Sequence, residues 1–281
     1  MNREQYQALI RRLEEYARRN PGGYRLRVGL LAALGYGYLL FILAILAGLL
    51  AVLVLAFTRG GTNFIVAKLG WVLIVLAAAI VRAMWVGIPA PSGIELRRDD
   101  APELFGMLDE VRAALRTPRF DHVLLTDEFN AAAAQRPRLG VLGWQKNYLM
   151  LGLPMMQALS PEELRAIVAH ELGHLSGNHA RFGGWIYRVE AAWARLLQRF
   201  HEEGNHAAIL FERFFNWYVP FFDAYSFVLR RANEYMADEC SAEVVGRETT
   251  ARALFRTEIA GRVLAEHYWP SVYERANRSP Q

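Results

Sequence analysis

Apolar positions along the chain follow two different patterns. From 28 to 57 the sequence is apolar and carries no charged residue, a run longer than the ~20 residues that cross a hydrocarbon layer. After a short polar turn a second apolar run covers 64–88, interrupted only by Lys68 and Arg82. Both lie near its ends, where long basic side chains reach back to the interface. This pattern predicts a two-helix transmembrane hairpin, 28–57 and 64–88. A cleaved signal peptide would need a shorter run and a small-residue cleavage site. Beyond Pro89, Pro91 and Gly93, apolar residues recur at spacings of three and four. Leu104, Leu108, Val111 and Leu115 predict a helix over 101–116. Short runs at 121–126, 130–134, 140–144 and 147–153, separated by turn formers, predict a small antiparallel sheet.

Ser160 and Pro161 open the next helix, with Glu163 three residues after the Ser as in a capping box. Leu164, Ile167, Val168, Leu172 and Leu175 then recur at helical spacing. Residues 180–199 keep that spacing. The apolar stretch 206–231 contains Glu212, Arg213, Pro220 and Asp223, which argue against a third span. It reads as a bent helix, or two, packed on the core of the domain that follows the hairpin or dipping into the interface. A final helix is expected over 249–266. The fold class is mainly α with a small antiparallel β-sheet (α+β). The division is a basic amphipathic segment (1–27), the hairpin (28–88), a linker (89–98), a folded domain (99–268) and a tail (269–281).

Composition adds partners and sidedness. The 281 residues, 53% of them hydrophobic, suffice for one core domain beside the membrane part. The net charge of +4 is concentrated in arginines before residue 28. There they alternate with Tyr6, Leu9, Ile10, Leu13 and Tyr16, which indicates an amphipathic helix against anionic lipid or the domain at 99–268, with no nucleic acid partner. Arg3, Arg11, Arg12, Arg18, Arg19, Arg25 and Arg27 precede the first span, and Arg97 and Arg98 follow the second. Only Arg59 lies between, so both ends face the cytoplasm. The single cysteine, Cys240, permits no intrachain disulfide, in keeping with a reducing compartment. Oligomeric state is not encoded in these patterns.

The chemistry lies in His170-Glu171-Leu172-Gly173-His174. Two imidazoles four residues apart share one helix face and can reach one metal ion, while Glu171 sits where it can touch water without becoming a ligand. Such a string arises by chance in roughly one chain of this length in a hundred. A solvated surface helix with two histidines is the bland account, and the apolar helical surroundings oppose it. Two histidines leave a zinc site short of a ligand. Glu234 and Asp238, four apart in Arg231-Ala-Asn-Glu-Tyr-Met-Ala-Asp238, offer a third ligand in Glu234 and, in Asp238, a partner for the free ring nitrogen of His170. An ordinary acidic pair on a solvated helix is the competing reading.

These two motifs, with Asn130-Ala-Ala-Ala133 upstream, resemble the HtpX-like and CAAX prenyl protease-type membrane zinc metallopeptidases over about 99–262. The resemblance implies a gluzincin-type domain, one Zn2+ held by His170, His174 and Glu234, and Glu171 as general base. It also implies an edge strand that pairs with the substrate backbone through Asn130 and Ala132. Its activity would be endopeptidase cleavage of membrane or misfolded polypeptides, at a bacterial inner (plasma) membrane with the catalytic domain cytoplasmic. A specific processing peptidase is the enzymatic alternative, and a silent adaptor with a structural zinc site the non-enzymatic one. For a second electrophile, His179, His206, Tyr225, Arg230, Arg231 and Tyr235 are the candidates.

Overall fold

The computed structural model describes residues 2–60, 64–84, 90–137, 145–175, 182–183, 185–186, 189–190, 193–194 and 208–278. The fold is α+β, and the chain divides into two compact units: Met1–Gly87 with Arg181–Arg231, and Ile88–Ala180 with Ala232–Gln281.

The first unit is helical. Helix α1 (Arg3–Arg19) starts at a capping box in which Asn2 Oδ1 accepts from Gln5 N at 2.8 Å and Gln5 Oε1 accepts from Asn2 N at 3.1 Å. Its apolar face, Tyr6, Leu9, Ile10, Leu13 and Tyr16, packs into a core built from Tyr24, Val28, Ala32, Tyr218 and Phe222. The amphipathic segment is thus covered by neighbouring helices of its own unit, where lipid or the catalytic domain was expected. Helix α2 (Pro21–Gly60) begins earlier than the apolar run, because Pro21 takes the first helical position, where its missing N–H has no cost. Its 40 residues reach about 60 Å, roughly twice the hydrocarbon thickness.

Among the described helices, α2 is the one long and apolar enough to cross a membrane. Helix α3 (Phe64–Met84) carries a shorter apolar stretch, Phe64–Ala78. Residues 85–88 of the expected second span lie outside the described residues. Most of 180–199 does too, although Val189 and Trp193 are buried in this core.

From residue 208 onward, the apolar stretch 206–231 is not divided into two helices. A single helix, α7 (Ala208–Val245), runs through Pro220. A mid-helix proline costs about 3 kcal/mol. Burial of Phe215, Tyr218 and Phe222 on either side of it offsets that loss. Tyr218 Oη donates to Leu31 O at 2.8 Å, and Phe214 stacks on Tyr38 with centroids 3.8 Å apart.

The second unit holds a four-stranded sheet in the order β1-β2-β4-β3: β1 (Ile94–Glu95), β2 (His122–Thr126), β3 (Ala131–Pro137) and β4 (Gln145–Gly152). The sheet is mixed where an antiparallel one was expected, because β2 and β4 pair in parallel. The cause is a crossing. Residues 127–130 pass over the end of β4, so β3 lies beyond it and β4 returns between β2 and β3. Gly152 allows this: a Cβ there would come within 1.8 Å of Glu128 O, while its N–H donates to Asn130 O at 2.8 Å. Residues 140–144 lie outside the described residues, and β1 is too short to show in the pattern.

Helices α4 (Pro102–Leu115), α5 (Leu153–Ala158) and α6 (Pro161–Leu175) complete the middle of this unit. Leu108, Val111, Val123, Leu149, Leu151, Ile167 and Leu172 belong to its core. After α8 (Arg247–Val263) comes one π-helical turn, Leu264–Tyr268. The segment expected as a tail, 269–281, instead forms helix α9 (Trp269–Arg278). It buries no residue, so no core-facing stripe announces it in the sequence.

Candidate active site

Helix α6 begins as its sequence requires. Ser160 N donates to Glu163 Oε2 at 2.9 Å and Glu163 N to Ser160 Oγ at 3.3 Å, closing the capping box. Glu163 is 1% exposed and also accepts from Arg252 Nε at 3.2 Å and Arg256 Nη1 at 3.0 Å, which ties α6 to α8. The Ser160 N–H first, then the two guanidinium groups, hold its carboxyl below the usual carboxylate range.

One turn before its end, α6 meets the last part of α7. A Cβ at Gly173 would lie 2.9 Å from Ala237 Cα and 3.1 Å from Cys240 Cβ, so only glycine permits this approach. Ser241 Oγ donates to Ala166 O at 2.8 Å and fixes the register between the helices. Sequence reasoning passed over Gly173 and Ala237. Their signal was a small residue beside the ligands of each helix.

The crossing brings together the residues singled out from the sequence. Glu234 Oε2 lies 3.4 Å from His170 Nε2 and 3.7 Å from His174 Nε2. One ligand atom from each of the three residues falls within 4.8 Å of the others. Tetrahedral zinc with ligands at about 2.0–2.2 Å needs donor atoms about 3.3–3.6 Å apart; the 3.4 Å separation lies in that range and the 3.7 Å one just beyond it, so the donor set fits the ion with a small side-chain shift. His170 Nδ1 is 3.0 Å from Asp238 Oδ1. With Nδ1–H donating to that carboxylate, Nε2 keeps its lone pair for a metal. Burial holds the His174 imidazole below its ordinary pKa, and Glu234 opposes this. The neutral ring is the ligating form.

Glu171 is positioned from the sheet. Strand β3 ends the sheet, and Ala133 N–H donates outside the β3–β4 ladder to Glu171 Oε2 at 3.2 Å. Burial pushes the carboxyl up to about 7, against the lowering effects of His170 and the Ala133 amide. A carboxylate near neutrality can both take and return a proton. Asn130 is exposed at the head of β3, its backbone engaged with Glu128 and Gly152, and Ala132 pairs with Met150.

Of the candidate electrophiles, Tyr225 stacks on Tyr24, Arg230 pairs with Glu190 and Arg231 with Glu14, all within the first unit. Tyr235 follows Glu234 on α7 and is 60% exposed. His179 and His206 lie outside the described residues.

Two histidines on one helix, a carboxylate from a second and a glutamate beside a strand edge define a site of the metallopeptidase class. Residues 118–277 match Peptidase family M48, and the chain belongs to that family. It is similar to Protease HtpX of Pseudomonas fluorescens, 29% identical over 129 residues, which are 41% of this chain and 44% of that protein. It is also similar to Protease HtpX of Pseudomonas savastanoi pv. phaseolicola, 27% identical over 129 residues, and of Pseudomonas putida, 26% over 132 residues. These covered shares, 44% and 45% of the relatives, are less than half of each. No solved structure matches the chain.

Proposed function

We propose that the chain is a membrane-anchored zinc endopeptidase that hydrolyses membrane or misfolded polypeptides on the cytoplasmic side of a bacterial inner membrane. The observation that carries this reading is the convergence of His170, His174 and Glu234, with Glu171 beside them accepting from the Ala133 amide of the edge strand. The names of the Pseudomonas relatives support a protease, and the apolar length of α2 supports an anchor. The arginines flanking the apolar runs support the cytoplasmic side.

His170, His174 and Glu234 hold the zinc, which when bound supplies the Lewis acidity that activates water and polarises the scissile carbonyl. Asp238 orients His170 through Nδ1. Glu171 takes the proton of the attacking water on its carboxylate and passes it to the leaving amine. Strand β3 aligns the substrate by edge pairing, with Ala132 within the paired stretch and Asn130 holding a substrate carbonyl.

The test is cleavage of casein by the full chain in detergent. One zinc per chain is expected, with cleavage stopped by a chelator and restored by zinc. One bound zinc with no cleavage of any polypeptide would favour a silent adaptor.

A further inference from the structure

The second unit carries another concave surface, an apolar groove of 970 Å3 whose walls include Leu125, Phe129, Leu153, Leu264, Tyr268 and Trp269. Its floor is one end of the sheet. Thr126 at the end of β2 pairs with Gly152 at the end of β4, and Ala131 at the start of β3 pairs with Leu151. Phe129, in the floor, directly precedes Asn130 and β3. Its roof is the π turn and the start of α9. Ala253, Ala260 and Leu264 continue one face of α8, and Tyr268 and Trp269 carry that face out over the groove. Beyond them α9 buries nothing, and Trp269 and Tyr273 are 44% and 63% exposed.

A mostly apolar groove of this volume is of the size that binds a ligand. Its chemistry narrows the occupant. Among the described residues no Lys or Arg lines it, and Asp127 stands at its wall, so a phospholipid phosphate would meet a like charge. The direction of the chain on β3 narrows it further. A polypeptide added antiparallel to β3 lies with its reacting bond near Ala133, whose N–H reaches Glu171. Its C-terminal side then runs past Ala131 toward Phe129, about 13 Å away at strand spacing. There it meets the groove.

We propose that this groove binds apolar side chains of the polypeptide substrate, beginning about four residues to the C-terminal side of the cleaved bond. It thereby selects chains whose released part opens with an apolar stretch. The assignment rests on the peptidase reading for its direction. Backbone pairing on β3 gives alignment, and the groove gives sequence preference. Thr126, Asp127 and Gln157 supply polar groups at its wall for the backbone of the bound segment.

The experiment uses the full chain in lipid nanodiscs and two labelled peptides that differ only in a central block of four residues, Leu and Phe in one, Ser and Asn in the other. Fluorescence anisotropy on the chelator-treated protein measures binding without turnover. The apolar peptide is expected to bind about tenfold more tightly, the worth of burying one or two large side chains. Trp269→Ala and Ile94→Gln, both at exposed positions of the groove wall, should each reduce that advantage severalfold and leave zinc content unchanged. In the zinc-loaded protein the cut should fall about four residues before the apolar block.

Equal affinities in the unsubstituted protein, a preference that survives both substitutions, or a cut after the block would overturn the assignment. So would displacement of the peptide by short-chain phosphatidylcholine, or occupancy that follows self-association of the chain, which would give the groove to lipid or to a second copy. If neither peptide is cut while the binding preference and its loss in Trp269→Ala remain, the peptidase reading fails and the groove's preference for apolar polypeptide stands.

Discussion

Helices α2 and α6 are both rich in apolar residues, yet they are held in opposite ways. Along α2, Tyr24, Val28 and Ala32 face the core of the helical unit while Leu26, Leu30 and Leu34 remain exposed on the other side. Along α6, Leu164, Ile167, Val168 and Leu172 are buried, and polar contacts set where the helix ends lie. Glu163 meets two arginines, His170 meets Asp238, and Glu171 meets the Ala133 amide. Ring packing and apolar contact hold the helical unit, whereas the catalytic unit adds polar pairs whose distances matter to chemistry. Substitutions in the first should therefore change stability, and substitutions in the second should change metal binding and proton transfer.

The sharpest break comes at the ligands. Glu234→Ala should lower zinc affinity at least a hundredfold, read by competition with a chelating dye, because one of three protein ligands is gone. Tyr218→Ala should destabilise the helical unit by about 3–5 kcal/mol yet leave zinc affinity within twofold. A parallel loss of zinc affinity would erase the contrast between the units. Gly173→Val should cost about 3 kcal/mol and also weaken zinc binding, since the added atoms push Ala237, and with it Glu234 and Asp238, away from α6.

Proton linkage separates two glutamates of the same helix. The folded-state pKa of Glu163 is lowered, so its stabilisation is present above the unfolded value of about 4.3 and lost as pH falls through the folded value. Glu163→Gln should remove about 2–3 kcal/mol at neutral pH and flatten this acid limb in denaturant titrations. Glu171 has the opposite sign. Its folded value is raised to about 7, so metal-free protein should lose stability as pH rises from about 4.3 through neutrality, and Glu171→Gln should abolish that loss. The smallest effect is expected at Asp238→Asn, a drop of about tenfold in zinc affinity.

What the sequence disclosed follows the same division. The His170–His174 pair, the Ser160 cap and the Glu234–Asp238 pair were legible because they depend on spacing along single helices. The parallel pairing of β2 with β4 was not, since it depends on a loop crossing that Gly152 permits. Pro220 suggested a break that burial of its neighbours overrides. Helix α9 was read as a tail because it buries no residue and so carries no core-facing stripe. The contact of Ala133 with Glu171 joins residues 38 apart through a backbone amide, which carries no residue-type signal.

The central claim is that His170, His174 and Glu234 hold zinc for a reaction in which Glu171 moves the proton. The most direct measurement is zinc content and casein cleavage of Glu171→Gln beside the unsubstituted chain. One zinc per chain in both proteins, with cleavage reduced by about a thousandfold in the variant, is the predicted result. Cleavage retained by Glu171→Gln would contradict it.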